Sequence, residues 1–125
     1  MAKIGSLMLH GGSWDGKQIV STAWVEASTS HQIDATLQDG YGYQWWVAGD
    51  DLFMALGYAG QFIFVVPDKD LVAIFTSHLE DRDFYTPQRL LEDYIIPAVD
   101  PAGELPANPG GMTRLEGAIK ELANP

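Results

Sequence analysis

The stretch Asp51–Ser77, DLFMALGYAGQFIFVVPDKDLVAIFTS, most restricts what this chain can become. It contains three apolar runs, Leu52–Leu56, Gln61–Val66 and Leu71–Thr76. Gly57-Tyr58-Ala59-Gly60 separates the first two and Pro67-Asp68-Lys69-Asp70 the last two. Each run has strand length and is rich in β-branched and aromatic residues. Pro67 presets a turn φ, and Asp68 and Asp70 are turn formers that can bond nearby amides. The reading is a three-stranded antiparallel meander. Its strands do not alternate: Phe62 to Val66 puts apolar groups on both faces. A sheet with one wet face would alternate, so both faces should be covered, most simply by helices.

The remaining elements follow from spacing and punctuation. Ile4, Leu7 and Met8 have helical spacing, and Gly11-Gly12 stops the helix. A helix starting at the first residue, with no cap before it, suggests a chain cut from something longer. Asp15-Gly16 is a turn, and Ser21 should cap a helix over Thr22–Ser30. His31 to Gly40 reads as loop, and Tyr41–Val47 (YGYQWWV) as a short strand. Thr86 should cap, with Pro87 in the first turn, a helix bearing Leu90, Leu91, Tyr94 and Ile95 and ending near Pro97. Residues 1–96 would form the α/β unit, residues 97–112 a Pro/Gly-rich linker, and residues 113–125 a last helix carrying Leu115, Ile119 and Leu122.

Composition excludes several function classes. The 125 residues suit one domain, and 46% hydrophobic content allows a real core. A net charge of −10 argues against nucleic acid and anionic membrane surfaces, which select basic patches. Without cysteine there is neither disulfide nor thiolate chemistry. No apolar stretch is long enough to span a bilayer, and no signal peptide is visible, which leaves the compartment open.

The residues do not assemble a complete catalytic site. His10, His31 and His78 lack metal-ligand spacing, so neither metal nor cofactor is expected. There is no G-x-S-x-G elbow and no S-x-x-K: Ser6 is followed at the third position by Leu9, Ser13 by Gly16 and Ser28 by His31. Ser77 and His78 are neighbours on an extended chain and should point to opposite faces. Two places invite a ligand. Glycines at 57 and 60 let one approach the backbone, although a plain hairpin turn accounts for them equally well. Tyr41, Tyr43 and Trp45 would share one strand face, packed in the core or lining a groove.

Four pieces in order carry a resemblance: MAKIGSLMLHGGSWDGKQIVSTAWV, YGYQWWV, GYAGQ with FIFVVPDKDLVAIFTS, and LEDYIIPAVDPAGELPANP. Together they resemble the C-terminal part of the serine β-lactamase and penicillin-binding-protein-like family, in its class C-like and esterase-like branches. The resemblance implies an α+β fold, a five-stranded antiparallel sheet covered by helices, whose first two strands come from the N-terminal part. It implies that the S-x-x-K nucleophile and the Y-x-N tyrosine lie earlier than this chain. The family's K-T-G or H-x-G element matches Tyr58-Ala59-Gly60, with tyrosine in place of the usual Lys or His. The backbone N–H of Tyr58, or second Gln61, would then serve the oxyanion hole, with Gly57, Ala59, Gly60, Tyr43 and Trp45 along the substrate wall. The implied protein is a fragment of a serine hydrolase, inactive alone. Its partners would be the N-terminal half of the parent or a second copy, and an acyl small molecule in the full-length enzyme. The rival is a non-catalytic binding or oligomerisation module. An incomplete sheet should self-associate, by edge pairing or by swapping a terminal helix.

Overall fold

The computed structural model describes residues 1–99 and 107–123. Much of the expected 97–112 linker falls outside the described residues. The fold is α+β. A hairpin of β1 (Ser13–Trp14) and β2 (Lys17–Gln18) stands beside a six-stranded antiparallel sheet. The sheet runs in sequence order: β3 (Ile33–Asp34), β4 (Gly40–Tyr41), β5 (Trp46–Ala48), β6 (Leu52–Gly57), β7 (Gln61–Val66) and β8 (Leu71–Phe75).

The meander forms where the apolar runs place it, with Met54 opposite Phe64 and Ile63 opposite Ile74. The turn after β7 is a 3-10 turn, Pro67–Lys69, closed by Asp70 in the left-handed region at φ +48°. The sheet extends further than the three runs indicate. The stretch read as loop contributes β3 and the first residue of β4. Tyr41–Val47 is two strands rather than one, because Gln44 adopts φ +70° and the Gly42 N–H closes a turn onto the Trp45 carbonyl at 2.7 Å. These strands are too short to show a period.

Both faces are covered, as the two-sided runs require. On one face Ile63, Val65 and Phe53 pack with Met8 of α1 (Ala2–Leu9), Val25 of α2 (Thr22–Thr29) and Trp45. On the other, Phe62, Phe64, Met54 and Ala73 pack with Leu91. Alternate residues of β7 therefore enter opposite cores. Each fully buried Phe or Leu side chain is worth roughly 1.5–3 kcal/mol of transfer free energy. Helix α1 lies close on the sheet at Gly5, where a Cβ would come within 2.6 Å of Val72 Cγ1.

Helix ends follow local chemistry with one correction. The Ser21 hydroxyl caps α2 by accepting from the Trp24 N–H at 3.2 Å. Gly11 and Gly12, at φ +58° and +86°, end α1. Thr86 is not a cap: it is the first residue of α3 (Thr86–Leu90), its cap position is Tyr85, and its hydroxyl accepts from Arg89 instead. α3 runs into a π-helical turn, Leu91–Ile95, and then α4 (Ile96–Ala98). Pro97 lacks an N–H for the Asp93 carbonyl and its ring crowds that group, a physical reason for the wide turn. The last helix, α5 (Pro109–Ala123), begins earlier than expected and buries none of its residues, so Leu115, Ile119 and Leu122 are exposed.

Candidate functional site

The link between β6 and β7 is a 3-10 turn, Tyr58–Gly60, with Ala59 at φ +56° and Gly60 at φ +87°. A positive φ at alanine is unfavourable, so something must hold it. The segment after β8 does. Ser77 Oγ donates to the Ala59 and Gly60 carbonyls at 3.2 and 2.9 Å, and the Leu79 N–H donates to Ala59 O at 3.0 Å. The Gln61 side-chain amide donates to the Ser77 carbonyl. Gly60 must be glycine on packing grounds as well, since a Cβ there would sit 2.1 Å from Ser77 Oγ. The turn's backbone is thus fixed before any ligand arrives, which preorganised donors require.

These bonds also settle Ser77 and His78. The Ser77 hydroxyl faces the turn as a donor to two carbonyls, while His78 is exposed beside it. They do not form a Ser–His pair. His78 joins Tyr58, 84% exposed, along an open cleft of about 460 Å³ that continues over Leu79 and Glu80 to Arg82. Arg82 is held between Glu80 at 3.0 Å and Asp83 at 3.6 Å.

Beside this turn the edge of β6 lacks a strand partner. The β5–β6 ladder pairs Ala48 with Leu52, Val47 with Phe53 and Trp46 with Met54, and stops there. Ala55, Leu56 and Gly57 pair with β7 but, among the described residues, not on the β5 side. The cause lies in β5's approach. Gly42 runs so near α2 that a Cβ would meet the Ser28 carbonyl at 2.0 Å, and the Tyr43 N–H donates to that carbonyl at 3.0 Å. The chain at 42–44 is held on α2, leaving three residues of β6 edge half-exposed against the fixed turn.

The aromatic residues separate into three environments. Tyr43, in the turn, stacks on Trp24 of α2 with centroids 5.2 Å apart and planes 12° apart. Trp45, 6% exposed, meets Phe53 edge-on in the core. Tyr41 lies edge-on to Trp46, and those two with Ile33–Thr36 line an open cleft of about 560 Å³. The expected shared face of Tyr41, Tyr43 and Trp45 is not built, because Gln44 breaks the strand. The groove-lining aromatic pair is Tyr41 with Trp46. Gly42 was the available signal that the strand is interrupted.

One constellation resembles a nucleophilic triad. Ser6 Oγ is 3.3 Å from His10 Nδ1, and His10 Nε2 is 3.9 Å from Asp70 Oδ1. The same Nδ1 lies 2.7 Å from the Ser6 carbonyl, which can only accept. Nδ1 therefore carries the proton and cannot take one from Ser6, so the geometry lacks the base a serine nucleophile needs. His10 and Asp70 are largely exposed. Among the described residues no three His, Asp or Glu side chains gather as a metal site, and no helix is long and apolar enough to cross a membrane. Asp51 has its carboxyl raised above the ordinary range, first by the charge of Asp68 and then by a hydrogen bond to it.

No family model matches the chain. It is 30% identical over 95 residues to 6-aminohexanoate-dimer hydrolase of Paenarthrobacter ureafaciens, an alignment that covers 66% of this chain and 24% of that hydrolase. The chain thus spans about a quarter of the length of the curated relative it matches. The likeness is a distant link to the β-lactamase-fold superfamily.

Proposed function

We propose that this chain is the C-terminal part of a serine hydrolase of the β-lactamase, DD-peptidase or esterase type. It would supply one wall of the active site: the β6 edge at Ala55–Gly57 and a backbone N–H of the following turn. Tyr58 N–H is the first choice for the oxyanion hole and Gln61 N–H the second. The observation that carries the reading is the fixed Gly57–Gln61 turn at the end of an unpaired strand edge, in a chain distantly similar to a 6-aminohexanoate-dimer hydrolase. The reaction of the whole enzyme would be acyl transfer: attack by a serine on an ester or amide, then hydrolysis of the acyl-enzyme. The relative's name gives the 6-aminohexanoate dimer as one substrate to try.

The nucleophile would come from a preceding segment with S-x-x-K, so this chain alone should not turn over a nitrophenyl ester, a chromogenic cephalosporin or a 6-aminohexanoate dimer. The test is complementation. Co-expression with an S-x-x-K-bearing N-terminal segment from a relative should restore hydrolysis of at least one of these substrates. Replacing Gly57–Gln61 by an unrelated hairpin turn should abolish it. Turnover by the chain alone that follows the protein through purification would overturn the reading.

A further inference from the structure

A trans peptide unit is planar, so its C=O and the following N–H turn together. The Ala59 carbonyl shares a unit with the Gly60 N–H, and the Gly60 carbonyl with the Gln61 N–H. Ser77 Oγ lies 3.2 Å from the first carbonyl and 2.9 Å from the second, so one hydroxyl proton serves both. The Leu79 N–H adds a bond to the Ala59 carbonyl at 3.0 Å. Two consecutive units are therefore oriented from the segment beyond β8. The unit before them is held from the other side, because Gly57 is paired with Gln61 in the β6–β7 ladder and Tyr58 follows it directly. Tyr58 N–H thus sits between the end of a ladder and a latched Ala59. The Gln61 side chain closes a ring: its amide donates to the Ser77 carbonyl, while the Ser77 hydroxyl donates to the carbonyl just before Gln61. Both side chains are half-buried, and the ring holds no titratable group. An alanine at φ +56° persists only where its surroundings over-determine it, and this ring is what does so.

We propose that Ser77 and the Gln61 side chain are positioning residues for the oxyanion hole, acting through the Ala59 and Gly60 peptide units and touching no substrate. The proposal rests on the serine-hydrolase reading and adds to it the side chains that aim its backbone donor. Ser77 is then neither nucleophile nor relay, since its proton is committed to two carbonyls, which cannot act as its base. An oxyanion donor works where charge develops in the transition state, so misaiming it lowers kcat and kcat/KM together and leaves KM alone. A displacement of about 1 Å can cost about a hundredfold.

The assay is co-expression with the S-x-x-K-bearing segment, with kcat and KM taken per folded molecule. Ser77→Ala should lower kcat roughly ten- to a hundredfold at unchanged KM, by the same factor at every pH. Ser77→Thr keeps the hydroxyl and should recover most of the rate. Gln61→Met keeps the backbone N–H but loses the amide donor; it should lower kcat too, less than additively with Ser77→Ala, and it carries the test if Ser77→Ala folds poorly. Ser21→Ala removes the α2 cap, far from the turn in sequence, and should destabilise without changing kcat. In the chain alone, Ser77→Ala should speed hydrogen exchange at residues 58–61 and leave Phe62 to Val66 protected. If the unaltered pair hydrolyses and the Ser77→Ala pair does so at the same kcat, the inference falls and the hydrolase reading stands. A loss confined to KM, a loss matched by Ser21→Ala, or unchanged exchange at the turn overturns it as well. An unaltered pair without hydrolysis refutes the hydrolase reading, and the positioning role falls with it.

Discussion

Gly60→Ala is the substitution that most directly probes the fixed turn. At φ +87° an L-residue costs about 1–2 kcal/mol relative to glycine. The new methyl would lie 2.1 Å from Ser77 Oγ and 2.9 Å from Leu79 Cδ1. Ser77 must then swing away and abandon its bonds to the Ala59 and Gly60 carbonyls, each worth about 0.5–1.5 kcal/mol. The sum is about 2–5 kcal/mol. At roughly 4 °C per kcal/mol for a chain of this size, Tm should drop by on the order of 10 °C or more. Gly49→Ala is the control. Gly49 also has a positive φ, +60°, but nothing lies within 4 Å of its Cβ position, so only the backbone cost of about 1 kcal/mol applies. Urea unfolding of both variants isolates the steric part. A double-mutant cycle with Ser77→Ala should show coupling of about 1–2 kcal/mol, because removing the hydroxyl relieves the nearest overlap. If Gly60→Ala costs no more than Gly49→Ala, or shows no coupling to position 77, the turn is not held by Ser77.

Further expectations follow from other contacts. Gly5→Ala should destabilise by about 1–3 kcal/mol despite its better helix propensity, because the methyl meets Val72 Cγ1 at 2.6 Å; chemical denaturation measures it, and a stabilised variant would show that α1 can lift freely. Leu91→Ala, in a fully buried site beneath the second face, should cost about 2–5 kcal/mol, and a loss below 1 kcal/mol would mean the π-helical turn does not close that core. Ser21→Ala should cost about 1 kcal/mol through the lost cap of α2, read by thermal unfolding. Because Asp51 has its folded-state carboxyl raised by Asp68, its contribution is favourable below the unfolded value near 3.8 and is lost as pH rises through the raised one. Asp51→Asn should therefore be more stable than the parent at neutral pH, with the gap closing towards pH 3; an equal gap at both would refute the pairing.

The division between what was legible and what was not runs along range of interaction. The three long strands, the two-sided burial of Phe62 to Val66, the Ser21 cap and the glycine stop after α1 all follow from neighbours in sequence, through β-branching, turn chemistry and hydrogen bonds reaching a few residues. Of the short strands, β3 reads as loop and β4 and β5 as a single strand, because two or three residues carry no period. Only their pairing, β3 on β4, β4 on β5 and β5 on β6, makes them separate strands. Thr86 has a capping residue's chemistry, yet the helix starts one residue earlier than a cap at that position allows.

The candidate site divides the same way. The residue types at Gly57–Gln61 marked a place where backbone could meet a ligand. That the turn is rigid was decided by Ser77 and Leu79, about eighteen residues on, through bonds that exist only once β8 has folded beside β7. The break in Tyr41–Val47, and with it the open edge at Ala55–Gly57, was decided by the Ser28 carbonyl on α2. Sequence by itself determined the three long strands, the helices before and after them and that the sheet must be covered twice, because those are local steric and solvation preferences. Tertiary structure decided which edges stay open and which backbone groups face them, because a hydrogen bond between distant segments is settled by where the chain returns.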